Sequence, residues 1–208
     1  DVYKRQHKDR NLVVGTFESD SAVTVQFSGT DNELTIGPNV IFRSGIINFR
    51  GHGQKVHLMG NNVLQGEIHL SGHRSKVIVG QGTKVNSAIW MNLGEADDII
   101  EIGDNCLFAN VRFRTSDSHP IYDQNSGDRI NHSRPIKIGN KVWIAEDVLI
   151  LKGAHVRDGS AIGARSLVAG DIPENCIAVG VPARVVRHGI RWEEKFQRCL
   201  LYTSDAAD

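Results

Sequence analysis

The chain has 208 residues, 24 basic and 24 acidic, so its formal net charge is zero, and such a balance argues against a general nucleic-acid binder. No apolar run reaches membrane-spanning length, so no stable membrane insertion is expected, and three cysteines are too few for a disulfide framework. Glycine is abundant at 21 and aromatics make up only 6%, as tight corners and thin layers require.

The two ends read differently from the rest. Codons that can write residues 1–6 are the reverse complement of codons that can write the start of 199–208. That string resembles the end of a transposon-based sequencing adapter. Residues 1–6 and 199–208 are therefore expected to be translated adapter, with natural protein over 7–198 and either end open to extension. Cys199 falls in the tail, which leaves Cys106 and Cys176. A cytoplasmic protein is the default expectation.

In chain order, the stretch up to Thr35 alternates weakly and reads as irregular first coils closing one end of a solenoid. A recurring apolar pair follows: Leu34 and Ile36, Val56 and Leu58, Val77 and Val79, Ile100 and Ile102. From Ile36 the spacings are 22, 21 and 23 residues, each one 18-residue coil plus a short excursion. Gly51 and Gly53, and Gly80 and Gly82, mark corners that need positive φ. From Ile102 to Ile138 the interval is 36 residues, two coil lengths. Ile102, Phe108 and Arg114 keep the spacing of six there, whereas residues 115–134 are polar and do not repeat. A long insertion in so regular a solenoid is where a site would be built.

Residues 136–168 repeat every six. Ile138, Ile144, Ile150, Val156, Ile162 and Val168 form one series, and Ile136, Val142, Val148, Ala154, Ser160 and Ser166 lie two residues before them. Residues two apart on an extended segment share a side, so each pair faces one interior. A period of six fits neither a helix nor an ordinary alternating strand. It describes a short strand, a corner and another short strand, three of which close a triangular coil. Lys137, Trp143, Leu149, His155, Ala161 and Leu167 must then point outward, with Trp143 over Ala161, Leu149 over Leu167, and Lys137 sharing a face with His155. A tryptophan beside a small residue suggests a shelf, and a leucine stack on an outer wall suggests a partner surface.

The insertion carries His119-Pro120, then Arg129, Ile130, Asn131 and His132, and Ile-Gly-Asn-Lys-Val-Trp-Ile begins 19 residues after His119. With the closing runs Ile162-Gly-Ala-Arg-Ser-Leu-Val168 and Gly180-Val-Pro-Ala-Arg184, it resembles the hexapeptide-repeat sugar O-acetyltransferases. The ending Ile190-Arg-Trp192 is similar to that of the capsular and polysialic acid O-acetyltransferases. The resemblance covers about residues 100–192 in detail. It implies an all-β fold, a left-handed parallel β-helix over 7–189, with the loop insertion at 115–134 and a short C-terminal helix at 190–198. Left-handedness comes from the family alone, since ordinary parallel crossovers take the other hand.

The implied chemistry is acetyl transfer from acetyl-CoA to a saccharide hydroxyl, with no metal. Imidazole titrating near ~6.5 can take a hydroxyl proton at neutral pH, which makes His119 the candidate base. Asp117, or a main-chain carbonyl, would orient its ring. The oxyanion needs donors, and the Trp143 indole or a main-chain N–H at Ala145–Glu146 would supply them. The resemblance places acetyl-CoA along an outer groove bordered by Trp143 and lined by Ala145, Ala164, Ala169 and Gly170, with Arg184 and Arg187 meeting its phosphates. Arg114, Tyr122, Arg129 and Asn131 would meet the acceptor. Ala145 stands where the family has glycine, and Ala169-Gly170 where it often has threonine-lysine. A homotrimer is also implied. Three other readings stay open: a small acceptor such as serine or a free sugar, a β-helical carbonic anhydrase using the His52 and His57 spacing to hold zinc, and a non-catalytic scaffold.

Overall fold

The computed structural model describes residues 4–6 and 8–195. The expected adapter tail at 199–208 lies outside them, as do residues 1–3 and 196–198. The chain is a left-handed parallel β-helix whose coils present three faces. The first face stacks Leu12–Val14, Glu33–Ile36, Lys55–Leu58, Lys76–Val79, Ile99–Ile102, Ile136–Ile138, His155–Val156 and Asp171–Ile172 in parallel register. The second holds Trp143–Ile144, Ala161–Ile162 and the start of Cys176–Gly180, and the third holds Val148–Leu151 and Leu167–Val168.

In the earlier coils the second and third faces are one bent strand. Leu107–Arg114 pairs through Leu107 and Phe108 with Trp143–Ile144, and through residues 111–114 with Val148–Leu151. A register shift between Phe108 and Asn110 marks the bend, as a β-bulge does. It turns Val111 and Phe113 into the core and Arg114 outward, so the spacing of six from Ile102 does not carry Arg114 inside. Gly66 sits at the same bend two coils earlier with φ 121°, and a Cβ there would lie 2.0 Å from the Ile89 carbonyl oxygen.

Both predicted inward series from 136 to 168 are buried. All three predicted outward pairs are in register: Trp143 with Ala161, Leu149 with Leu167, and Lys137 with His155. Burying each large aliphatic contributes roughly 1.5–3 kcal/mol, and each contribution depends only on adjacent coils. The edge between the first and second faces turns on residues of positive φ: Asn39, Asn61, Gly82, Asn105, Lys141, Gly159 and Asn175. Asn and Gly tolerate that conformation best. Gly82 and Gly53 occupy such positions, as the glycine pairs predicted.

One edge is polar inside. Asn11, Asn32, Gln54, Ser75, Asp98 and Thr115 are buried in successive coils. The Gln54 N–H donates to Asn32 Oδ1 at 2.8 Å, and Thr115 Oγ1 donates to Asp98 Oδ2 at 2.6 Å, so the buried polar groups are paired rather than wasted. This ladder ends where the insertion begins. Ile102 pairs directly with Ile138, so the 36-residue interval is a single coil opened by an insertion rather than two coils.

The last coil is closed by Cys176–Gly180 and Ala183–His188, which pair antiparallel. The helix expected over 190–198 does not form at 190–195, and 196–198 lie outside the described residues. Instead the Ile190 N–H donates to the Asn175 carbonyl at 2.9 Å and the Trp192 indole N–H to the Lys141 carbonyl at 2.8 Å. Those bonds lay the segment along the coil, which a helical path would not permit.

Candidate active site

The insertion springs from the edge between the third and first faces, directly after Arg114, and folds as an arm. Its base is closed by the Arg134 N–H donating to the Thr115 carbonyl at 3.2 Å. Its outer part is a small antiparallel hairpin, bridged at Tyr122 and Arg129 and by the Ile130 N–H donating to the Ile121 carbonyl at 2.9 Å. Asp123 turns the tip by accepting the N–H groups of Asn125 and Ser126, an Asx turn.

His119 lies at the start of this hairpin and is exposed. Ser118 before it takes φ 68°, and its hydroxyl accepts from Arg114 at 3.1 Å. Among the described residues no hydrogen bond or ion pair reaches the His119 ring. Its main chain is held instead: Asn131 Nδ2 donates to the His119 carbonyl at 2.8 Å, and Asn131 Oδ1 accepts the Ile121 N–H at 2.7 Å. Asn131, expected at the acceptor, is thus buried inside the arm.

Asp117 also differs from the expectation that it orients the imidazole. Its carboxylate accepts from Lys152 and, at 2.9 Å, from Asn131. Lys152 first, then Asn131, holds the Asp117 carboxyl below its ordinary value. Arg129 forms a two-pronged pair with Glu95, at 2.6 and 2.9 Å. That pair, with help from Ser116, lowers the Glu95 carboxyl against the opposing cost of burial. Tyr122 is 59% exposed, and Arg114 stands 6.0 Å from the Trp90 ring centre. Arg114 and Trp90 belong to a groove of about 820 Å³ on the third face, lined also by Glu67, Arg112 and Leu149.

The expected cofactor residues occupy other edges. Trp143 is 41% exposed and stands above Ala161, which is buried. The Trp192 ring flanks it at 6.3 Å and 44°, so the shelf is bounded by two indoles. Ala145 and Ala164 follow at the next corner, Ala145 half-buried and Ala164 exposed. Ala169, Gly170 and Arg184 line one cleft of about 260 Å³, and a Cβ at Gly170 would touch nothing within 4 Å. Arg187 is exposed on the closing hairpin opposite Ile177. The structure therefore gathers Tyr122, Arg129 and Asn131 on the arm, with Arg114 in the strand at its root, and the cofactor candidates along the coil. The arm bearing His119 leaves the edge between the third and first faces, whereas Trp143 opens the second face.

Among the other histidines, His52 Nδ1 accepts the Thr30 N–H at 3.0 Å, and its ring stacks on His73 at 5.1 Å. His57 faces Glu33 from the flat first face, 3.2 Å away. The sequence reading passed over Glu95, Lys152 and Trp90. Glu95 and Lys152 gave no local signal, because each meets the arm 21 to 35 residues away in sequence.

A left-handed parallel β-helix built on hexads, with a histidine-bearing arm at one edge and a tryptophan shelf at another, is a hexapeptide-repeat protein. No protein-family model matches the chain. It is 35% identical over 138 residues to a polysialic acid O-acetyltransferase of Escherichia coli O1:K1 / APEC, covering 66% of this chain but only 44% of that protein. The chain thus spans less than half the length of that relative. It is 30% identical over 157 residues to the putative colanic acid biosynthesis acetyltransferase WcaF of Escherichia coli K12, covering 75% of this chain and 81% of that one. The crystal structure of the polysialic acid-specific acetyltransferase NeuO superposes with a TM-score of 0.63 at 27% identity, over 88% of this chain and 92% of that one. The chain belongs to the hexapeptide-repeat sugar O-acetyltransferase family.

Proposed function

We propose that this protein transfers the acetyl group of acetyl-CoA to a hydroxyl of a saccharide, as part of surface polysaccharide modification, with His119 as general base. The observation that carries the reading is the arm. It is braced against the coil at its root, yet leaves the His119 ring exposed and without a partner among the described residues. An unengaged imidazole on a fixed main chain suits a base that must meet a substrate hydroxyl.

In this reading the His119 ring takes the acceptor proton as the hydroxyl oxygen attacks the thioester carbonyl. The carbonyl oxygen gains charge, which the Trp143 indole N–H or the main-chain N–H groups near Ala145 offset. The C–S bond then breaks and the coenzyme leaves as thiolate, which takes the proton back from imidazolium. A thiol resembling cysteine, near ~8.5, needs no strong general acid. Arg184 and Arg187 would meet the phosphates, because guanidinium pairs with them as a charged donor. Asp117 enters as a brace of the arm, through Lys152 and Asn131, rather than through the ring.

The separation of His119 from Trp143 within one subunit favours a site assembled from two. We take the assembly to be a homotrimer. The arm supports this with Ile121, Tyr122 and Ile130, all more than half exposed on one hairpin, an apolar cluster of the kind that marks a contact. No helix among the described residues is long and apolar enough to cross a membrane, and we place the enzyme in the cytoplasm, where acetyl-CoA is made available. Acetyl transfer against a panel of sugars and acidic and neutral oligosaccharides, with product positions read by NMR, tests the proposal. Turnover of a saccharide is the expected result. Hydrolysis alone, or transfer only to a small amino acid, would refute it.

A further inference from the structure

The arm is held at its root by two side chains of opposite charge from the coils below and above it. Glu95, from the preceding coil, binds Arg129 through both oxygens and accepts the Ser116 hydroxyl at 2.6 Å. Lys152, from the following coil, donates to the Asp117 carboxylate and, at 2.9 Å, to the Asn131 carbonyl. The Lys152 side chain is only 15% exposed. Ser116 and Asp117 lie on the outgoing limb of the arm and Arg129 and Asn131 on the returning one, so each anchor ties both limbs. Between them sits Asn131, whose amide group holds the main chain on both sides of Pro120.

We propose that Glu95 and Lys152 are positioning residues that fix the direction in which His119 is presented to the acceptor. Neither touches the imidazole. They act through Asn131 and the main chain of the arm, and a loosely presented base loses rate steeply, since a displacement of ~1 Å costs on the order of 10²-fold. Charge explains why the pair comes in this order. The outgoing limb offers a carboxylate to the coil above, and the returning limb offers a guanidinium to the coil below. An arm tilted toward either coil would break one anchor as it kept the other. The half-buried Glu95–Arg129 pair is costly to halve, and Lys152, itself largely buried, would lose both its acceptors, which favours a single arrangement of the arm over several.

The inference rests on His119 being the base, so the experiment separates the two claims. Lys152→Met, which keeps the unbranched stem and removes the terminal ammonium, and Lys152→Arg, which keeps the charge, are compared with the parent by hydrogen exchange and by steady-state kinetics. Lys152→Met is expected to lose amide protection across 116–133 while the coil amides of 136–168 stay protected. Its kcat is expected to fall by about 10²-fold, with the KM for acetyl-CoA unchanged. Lys152→Arg is expected to recover most of both. For the second anchor, Glu95→Arg alone should loosen the arm, and adding Arg129→Glu should restore it. Parental protection of the arm in Lys152→Met, or a loosened arm with parental kcat, overturns the inference. His119→Ala made in parallel isolates the other claim: parental turnover there removes the base and leaves the exchange result to judge the anchors.

Discussion

Ile150 and Leu149 are neighbours in one strand, and the account assigns them opposite fates. Ile150 is fully buried, in register with Phe113 in one adjoining coil and Val168 in the other. Ile150→Ala removes most of a core side chain where hydrogen-bonded ladders on both sides resist collapse of the gap. Large-to-small core changes cost roughly 2–5 kcal/mol, and more where the site cannot relax, so about 3–4 kcal/mol is expected here. With a urea slope of about 2 kcal/mol per molar, that is a midpoint shift of ~1.5–2 M. Leu149 points outward and is half-buried against Leu167. In dilute protein Leu149→Ala should therefore cost no more than about 1 kcal/mol. If its face carries the subunit contact, the loss should grow at protein concentrations where the parent is assembled. Urea titrations of both variants at two protein concentrations make the comparison. A cost at Ile150 below about 1 kcal/mol, or a larger cost at Leu149 in dilute protein, would show that the hexad has been assigned to the wrong side.

Three further outcomes are expected. Replacing Arg184 and Arg187 by alanine should raise the KM for acetyl-CoA and leave that for the acceptor nearly unchanged; equal effects with intact and 3′-dephosphorylated coenzyme would restrict their contact to the pyrophosphate. Light scattering at micromolar concentration should give a trimer, and a fully active monomer would remove the shared site. Glu95 and Asp117 both titrate below their ordinary values, so their anchoring is complete above the unfolded carboxylate range and is lost as pH falls through the lowered folded values. Protection of the arm should therefore persist from neutrality down to about pH 4 and fail only below it; release of the arm already near pH 6 would implicate a histidine instead.

The regular half of the solenoid was legible because its signal is local. Each coil repeats the same pair of inward positions, so Ile138, Val156 and their kin could be placed by counting. Trp143 above Ala161 followed from the same count. The earlier coils were harder, since bulges such as that between Phe108 and Asn110 shift the inward positions by a residue. The spacing of six from Ile102 to Arg114 runs through that bulge, so it does not mark Arg114 as an inward position. The polar ladder from Asn11 to Thr115 was missed because a lone buried Asn or Ser in each coil looks like a corner residue until the coils are stacked. His119 could be chosen from the chemistry of the insertion. The bracing of its arm could not, because Glu95 and Lys152 reach it across coil-to-coil distances that no short motif encodes. Asp117 illustrates the difference: two residues from the histidine in sequence, it is turned by Lys152 toward the coil.

The central claim is that His119 is the base and that its side chain takes no part in holding the solenoid. The ring is exposed and makes no hydrogen bond among the described residues, so His119→Ala should unfold at the parental urea midpoint and bind coenzyme A with parental affinity. Acetyl transfer to the acceptor should fall by about 10²–10⁴-fold. An His119→Ala protein that transfers acetyl groups at the parental rate would contradict the account.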